Sequence, residues 1–170
     1  MYSWVSPKIE VRNAGDKGMG LFAKEGISKD EIVTIAGGRI VPLERFDTDP
    51  AFEPIRYHGF QIEKDFVICP FDAGNMDSTF MTNHSCDPTC GIRGQVSIVT
   101  MRDIGAGEEI TFDYVMTDTC EGVMMDRSCF CGSPNCRKTI TGGDWKREDL
   151  REKYKGYFSN YVQRLIDGKS

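Results

Sequence analysis

Thr82-Asn-His-Ser-Cys-Asp-Pro-Thr-Cys90 crowds an amide, an imidazole, hydroxyls and two thiols around one proline. The run Ser78-Thr-Phe-Met81 leads into it. Pro88 fixes its own φ and pushes Asp87 away from helical geometry, so the segment enters the core and then turns sharply. Buried polar groups must find partners. Asn83 and His84 are therefore expected to hydrogen-bond a defined neighbour, either backbone or ligand.

On both sides of this stretch the chain reads as short strands. After it come Gln95–Met101 and Glu109–Tyr114. Before it lies a strand pair within Tyr57–Ile68, Phe60-Gln-Ile and Phe66-Val-Ile, turned at Glu63-Lys-Asp. Earlier still, Glu31-Ile-Val-Thr-Ile-Ala and Arg39-Ile-Val flank Gly37-Gly38 as a further pair, and Leu43–Pro54 reads as a loop or a single helical turn. Lys8-Ile-Glu-Val-Arg alternates like a half-buried strand, and Asn13-Ala-Gly-Asp-Lys-Gly-Met-Gly20 forms a glycine loop before Leu21-Phe-Ala resumes. That loop lacks the following helix of a dinucleotide fingerprint and the Gly-Lys-Ser/Thr of a phosphate loop. Close-set strands without alternating long helices predict a mainly β, β-rich α+β fold. Thr117–Arg127 reads as a connector. Asp144 is placed to N-cap a helix from Trp145, and Leu150, Tyr154, Tyr157 or Phe158, Tyr161 or Val162, and Leu165 make one apolar face. Gly156 and a Ser159 cap divide it into two short helices.

A chain of 170 residues, 39% hydrophobic, builds one ordinary core. Its formal charge of −5 disfavours non-specific nucleic-acid binding and suits a cationic partner. The first residues carry no basic region followed by an apolar stretch, and no apolar run is long enough to cross a bilayer, so the expectation is a soluble, intracellular protein without a membrane partner. An odd count of 7 cysteines then reads as metal ligands plus buried thiols. Cys129, Cys131 and Cys136 form Cys-x-Cys-x4-Cys with a Gly-Ser-Pro-Asn turn, a spacing suited to structural zinc, which wants four ligands. Cys86, Cys90, Cys120 and His84 all stand as candidates for the fourth.

Taken together, Asn83-His-Ser-Cys-Asp-Pro, Gly107-Glu-Glu-Ile-Thr-Phe-Asp-Tyr, the Cys-x-Cys-x4-Cys cluster and Lys17-Gly-Met-Gly-Leu-Phe-Ala closely resemble SET-domain protein lysine methyltransferases with a post-SET zinc motif. The resemblance implies a SET domain over residues 1–115, a linker and post-SET zinc segment over 116–142 and a helical extension over 143–170. It implies S-adenosylmethionine as methyl donor, a structural zinc, and a basic protein or peptide substrate carrying lysine, such as a histone or histone-like tail. By the same resemblance Gly18, Met19, Gly20, Asn83 and His84 hold the cofactor, Tyr114 is the catalytic tyrosine beside it, Ile140 lies over the adenine, and Cys86 joins Cys129, Cys131 and Cys136 on zinc. The second active-site tyrosine of the family falls by register on His58, and a slip of one residue would present Tyr57. Here the stretch before Asn83 carries one residue extra, and Thr89 follows Pro88. The compartment implied is a nucleus or a bacterial cytoplasm.

Two other readings compete with an enzyme of this kind. One is a catalytically weak, zinc-stabilised interaction module on the same fold, for which His58 is the best support. The other is a cysteine hydrolase pairing His84 with Cys86 or Cys90, disfavoured because near neighbours on a turn rarely aim imidazole at thiol.

Overall fold

The computed structural model describes residues 3–74, 76–120 and 128–169. Within them the strands are β1 Trp4–Val5, β2 Ile9–Asn13, β3 Met19–Ala23, β4 Ile32–Ile35, β5 Arg39–Pro42, β6 Phe60–Glu63, β7 Phe66–Cys69, β8 Asn83–His84, β9 Cys90–Arg93, β10 Ser97–Thr100 and β11 Glu109–Phe112. The helices are α1 Leu43–Thr48, α2 Glu148–Lys153 and α3 Asn160–Ile166, joined by several single 3-10 turns. The strands form three small sheets, ordered β1-β4-β10-β9, β2-β3-β11-β8 and β5-β7-β6. The β-rich reading thus holds.

β11 is the pivot. It pairs antiparallel with β3, Ile110 opposite Leu21, and parallel with β8, Thr111 opposite Asn83 and Phe112 opposite His84. Its residues are the reason: Ile110, Thr111 and Phe112 are all buried, and a strand covered on both faces reads as a continuous rather than alternating run. Ile110 and Phe112 share one apolar cluster with Leu21, Val33, Ile92 and Ile98. Side chains of this size each contribute about 1.5–3 kcal/mol when buried.

Several expectations are corrected. The chain from Glu31 to Val41 does supply two strands, but β4 and β5 lie in different sheets, because the Gly37-Gly38 link redirects the chain. Leu43–Pro54 is more helical than expected, forming α1 and a 3-10 stretch over Pro50–Ile55 capped by the Asp49 carboxylate on the Ala51 amide. That stretch has its own small core around Phe46, Phe52 and Ile55. β2 buries Ile9 but leaves Val11 39% exposed, so its alternation marks a sheet edge rather than a half-buried strand. β11 stops at Phe112, and Tyr114 opens a 3-10 turn over Tyr114–Met116. Asp144 makes no cap; its carboxylate takes hydrogen bonds from Arg137 and Thr141 instead. Part of the connector, residues 121–127, lies outside the described residues.

The two short C-terminal helices form as expected, with the Ser159 hydroxyl capping α3 through the Val162 amide. They are not a free appendage. Leu150, Tyr154, Phe158, Tyr161 and Val162 enter the main core, and the Ile92 amide donates to the Tyr157 carbonyl at 2.9 Å. A β-carbon at Gly91 would stand 2.5 Å from that of Tyr157, so this approach requires glycine. Among the described residues no helix is long and apolar enough to cross a membrane.

Candidate functional site

The pairing of β3, β11 and β8 carries three sequence motifs to one place. The Asn83 amide nitrogen donates to the Met19 carbonyl at 3.1 Å and to the Glu109 carboxylate at 2.9 Å, while Glu109 also forms an ion pair with Lys17. Gly20 sits under this junction, where an added β-carbon would lie 2.7 Å from the Asn83 amide nitrogen and 2.9 Å from Glu109 Oε1. Gly18 holds φ +82°, a left-handed conformation that glycine adopts at little cost, and its missing side chain would point into open space. Backbone from Lys17 to Met19 is thereby bared along a cavity of about 360 Å³, whose other walls are His58, Met76, Phe80, Met81, Thr82, Asn83 and Tyr114.

A second cavity, about 270 Å³, also reaches Tyr114. Phe46, Phe60, Val67 and Phe112 give it an apolar wall; Asp47, Arg56 and Asp118 are its charged lining, and Tyr57 and Cys120 also face it. The two cavities share His58, Phe80, Thr82 and Tyr114. Tyr114 is fixed between Phe112 and His84, with ring centroids at 5.1 and 5.2 Å, and its hydroxyl lies 3.4 Å from the Thr82 carbonyl. Burial, reinforced by the Asp118 charge, pushes its phenol well above the usual range, so Tyr114 is neutral at physiological pH. His58 is half-buried and its Nδ1 is 3.0 Å from the Phe80 carbonyl, whereas Tyr57 is 62% exposed. Both line the second cavity, but His58 alone of the two also lines the first.

Behind this wall, the Sγ atoms of Cys86, Cys129, Cys131 and Cys136 all lie within 4.8 Å of one another. Zinc with sulfur at about 2.3 Å implies sulfurs roughly 3.8 Å apart, so this donor set fits a tetrahedral zinc. Backbone amides already point at the sulfurs, Arg137 toward Cys86 at 3.3 Å and Cys86 toward Cys131 at 3.5 Å. Burial pushes the Cys86 thiol up to about 11. Cys131 is drawn down to about 7 against its own burial, by the amides of Cys86 and Ser133 and by the Cys129 and Cys136 thiols. A dication would deprotonate all four. Cys90 and Cys120, the other thiol candidates, stay outside this cluster.

A strut joins the thiol cluster to Tyr114. Asp113, fully buried, receives both Arg137 terminal nitrogens at 2.5 and 2.8 Å and the Tyr154 hydroxyl at 2.8 Å. Arg137 Nε also donates to Asp144 at 3.0 Å, and the Lys153 ammonium and Tyr154 hydroxyl donate to the Cys86 carbonyl. These partners went unread in the sequence; only the acid between Phe112 and Tyr114 hinted at them.

Not every expected residue faces a cavity. His84 is 4% exposed: the Tyr114 amide donates to its Nδ1 at 3.4 Å and its Nε2 lies 3.3 Å from Cys86 Sγ, so both nitrogens are occupied away from the first cavity. The imidazole does reach a thiol after all. Yet burial lowers His84 to about 4 and raises Cys86, which leaves neither base nor nucleophile activated for hydrolysis. Ile140 is buried against Cys86 and Cys129 rather than along either described cavity. Asp118 and Glu109 were missed as candidates.

Comparison with known proteins accords with this geometry. The family description "SET domain" matches residues 18–115. A histone-lysine N-methyltransferase, H3 lysine-36 specific, from Cryptococcus neoformans var. neoformans serotype D is 33% identical over 145 residues, covering 79% of this chain and 17% of that protein. An H3 lysine-4 specific enzyme from Schizosaccharomyces pombe is 32% identical over 131 residues, covering 70% of this chain and 14% of its own length. The chain therefore spans only a small part of these curated relatives. Among solved structures, KRYPTONITE in complex with mCHH DNA, H3(1-15) peptide and SAH superposes with TM-score 0.59 at 24% identity, covering 79% of this chain and 30% of that one, a likeness of fold.

Proposed function

The chain belongs to the SET-domain family, and from that premise we propose that it transfers a methyl group from S-adenosylmethionine to the side-chain amine of a lysine in a histone or similarly basic protein. One observation carries the reading: two cavities meet at a wall containing Tyr114, one bared to the Lys17–Met19 backbone and Asn83, the other lined by aromatic rings. Lys17, Gly18, Met19 and Asn83 would hold the cofactor, with Tyr114 at its methyl end; the bound cofactor supplies an electrophilic methyl on a cationic sulfur. Phe60 and Phe112 wall the channel for the lysine stem, and His58 stands where the family's second tyrosine is expected. Cys86, Cys129, Cys131 and Cys136 would hold a zinc that ties the C-terminal segment to the Tyr114 turn.

A free lysine, pKa about 10.4, is neutral in only about one molecule in a thousand at neutral pH. Two unit charges about 4 Å apart at an effective dielectric near 20 repel by about 4 kcal/mol, roughly three pKa units. With the cofactor bound, its cationic sulfur would disfavour the ammonium in this apolar channel, so the lysine would release its proton to solvent without a dedicated base. Tyr114, being neutral, acts by orientation: its hydroxyl and the Thr82 carbonyl fix the amine's approach.

The relatives' H3 specificity and the H3 peptide held by KRYPTONITE support a histone tail as substrate, and a charge of −5 suits a basic one. A histone substrate would place the protein in a nucleus rather than a bacterial cytoplasm. KRYPTONITE also holds DNA, so the expectation of no nucleic-acid contact rests on this chain's charge alone. The test is a methyl-transfer assay on an array of histone peptides, with Tyr114→Phe as control. The variant should fold and bind cofactor while turnover falls by orders of magnitude. Undiminished turnover would refute the role of Tyr114, and cofactor binding without transfer to any basic protein would favour the interaction module.

A further inference from the structure

Resting on the methyltransferase reading, we propose that Asp118 is the specificity-determining anion of the second cavity, the carboxylate that receives the target lysine's ammonium as it enters. Asp118 acts on capture of the cation and takes no part in the transfer step.

Its own contacts leave it short of positive charge. One carboxylate oxygen accepts from the Gln61 amide at 3.2 Å and the other from the Thr117 hydroxyl at 2.8 Å, both neutral donors. Among the described residues Asp118 takes part in no ion pair. Its neighbours in the cavity are Asp47, Arg56, His58, Tyr114 and Cys120, while Tyr161 of α3 backs Thr119 at 3.3 Å. Arg56 does not compensate it: its attraction is felt at Asp47, on the exposed part of α1, and its Nη2 donates to the Asp49 carbonyl. Asp47 adds a second negative charge.

Asp118 is also held rigidly where a lysine must pass. Its amide donates to the Tyr114 carbonyl at 3.0 Å, so carboxylate and catalytic hydroxyl belong to one turn. Gln61 returns the clasp, its side-chain oxygen accepting from the Thr119 amide at 2.8 Å. A carboxylate beside aromatic walls without a counter-ion is costly, and a cation entering the channel relieves that cost. Independently, burial pushes Asp118 up to about 6, so it is an anion at neutral pH but a strained one. A lysine stem of methylenes matches the apolar wall, and only an ammonium head answers the acid. A neutral isostere lacks that complement.

The test uses n-butylammonium and n-butanol as probes, with the full zinc-loaded chain observed by NMR near neutral pH. The cation should bind about tenfold tighter, the value of one charge-assisted hydrogen bond. Asp118→Asn should abolish that preference while keeping the fold, since the amide oxygen still accepts from Gln61. In the wild type, saturating n-butylammonium should move the titration midpoint of the Asp118 carboxyl-carbon resonance to lower pH, a reciprocal effect specific to this residue. Equal binding of the two probes, a preference that survives Asp118→Asn, or an unmoved midpoint would each overturn the proposal. An Asp118-dependent preference in a protein that methylates no lysine peptide would leave this site standing and sink the methyltransferase reading. Methylation with an unchanged KM in Asp118→Asn would do the opposite.

Discussion

Replacing Arg137 by methionine tests whether the strut behind Tyr114 holds the domain together. The side chain is 7% exposed and its partner Asp113 is fully buried, so the substitution deletes a two-pronged pair at 2.5 and 2.8 Å and the 3.0 Å bond to Asp144. Among the described residues Asp113 would keep the Tyr154 hydroxyl at 2.8 Å and the Val115 amide at 3.3 Å, with the neutral His84 ring 3.6 Å away and supplying no charge. Removing one partner of a buried ion pair costs about 3–5 kcal/mol, chiefly because a charge is left uncompensated. For a domain of this size, roughly 2–4 °C of Tm accompanies each kcal/mol, so Tm should fall by about 6–20 °C. Guanidinium unfolding of zinc-loaded protein measures the difference. Zinc content should be unchanged, because the Arg137 group that reaches Cys86 is its backbone amide. Adding Asp113→Asn removes the orphaned charge, so the double variant should be more stable than the sum of the single losses by at least about 1 kcal/mol. A loss below about 1 kcal/mol for Arg137→Met, or strict additivity in the cycle, would refute the reasoning.

Gly20→Ala should displace Asn83 and Glu109 and weaken S-adenosylmethionine binding by about tenfold or more, measured by calorimetry; unchanged affinity would detach Gly20 from that cavity. Metal analysis should find about one zinc per chain. Chelation should remove it and lower Tm by about 10 °C or more, and a chain that melts identically with and without chelator would dispose of the structural metal. Asp118, raised to about 6 when folded against about 3.9 unfolded, makes the native state bind the extra proton between these values, so its contribution to stability declines as pH rises from about 4 to about 6. Asp118→Asn should therefore be about equal to wild type below pH 4 and about 3 kcal/mol more stable at neutrality; a difference that does not vary with pH would contradict this.

The readable parts of the sequence were those where one residue type answers one local demand. Gly18 and Gly20 announced backbone left bare or tightly approached, and the closely spaced thiols announced a sulfur cluster of a size to hold one ion. β9 and β1 were not read, because Cys90-Gly-Ile-Arg93 interrupts its apolar pattern with a glycine needed for Tyr157 and β1 has only two residues. His84 shows the limit for side chains: its type suggested a ligand contact, but only the parallel pairing of β8 with β11 turns it toward Cys86 and the Tyr114 amide. Asp113 and Arg137 stand 24 residues apart, and no local periodicity links them.

The strut through Asp113 also orders events in time. Asp113, next to Tyr114, is not fully satisfied until Arg137 and Tyr154 have been synthesised and docked, about forty residues of ribosomal travel later. A nascent or clipped chain ending before them would carry its Phe-Asp-Tyr edge with an unneutralised acid inside, open to chaperones and proteases. The Phe-Asp-Tyr edge is thereby completed only when the segment through Tyr154 has docked.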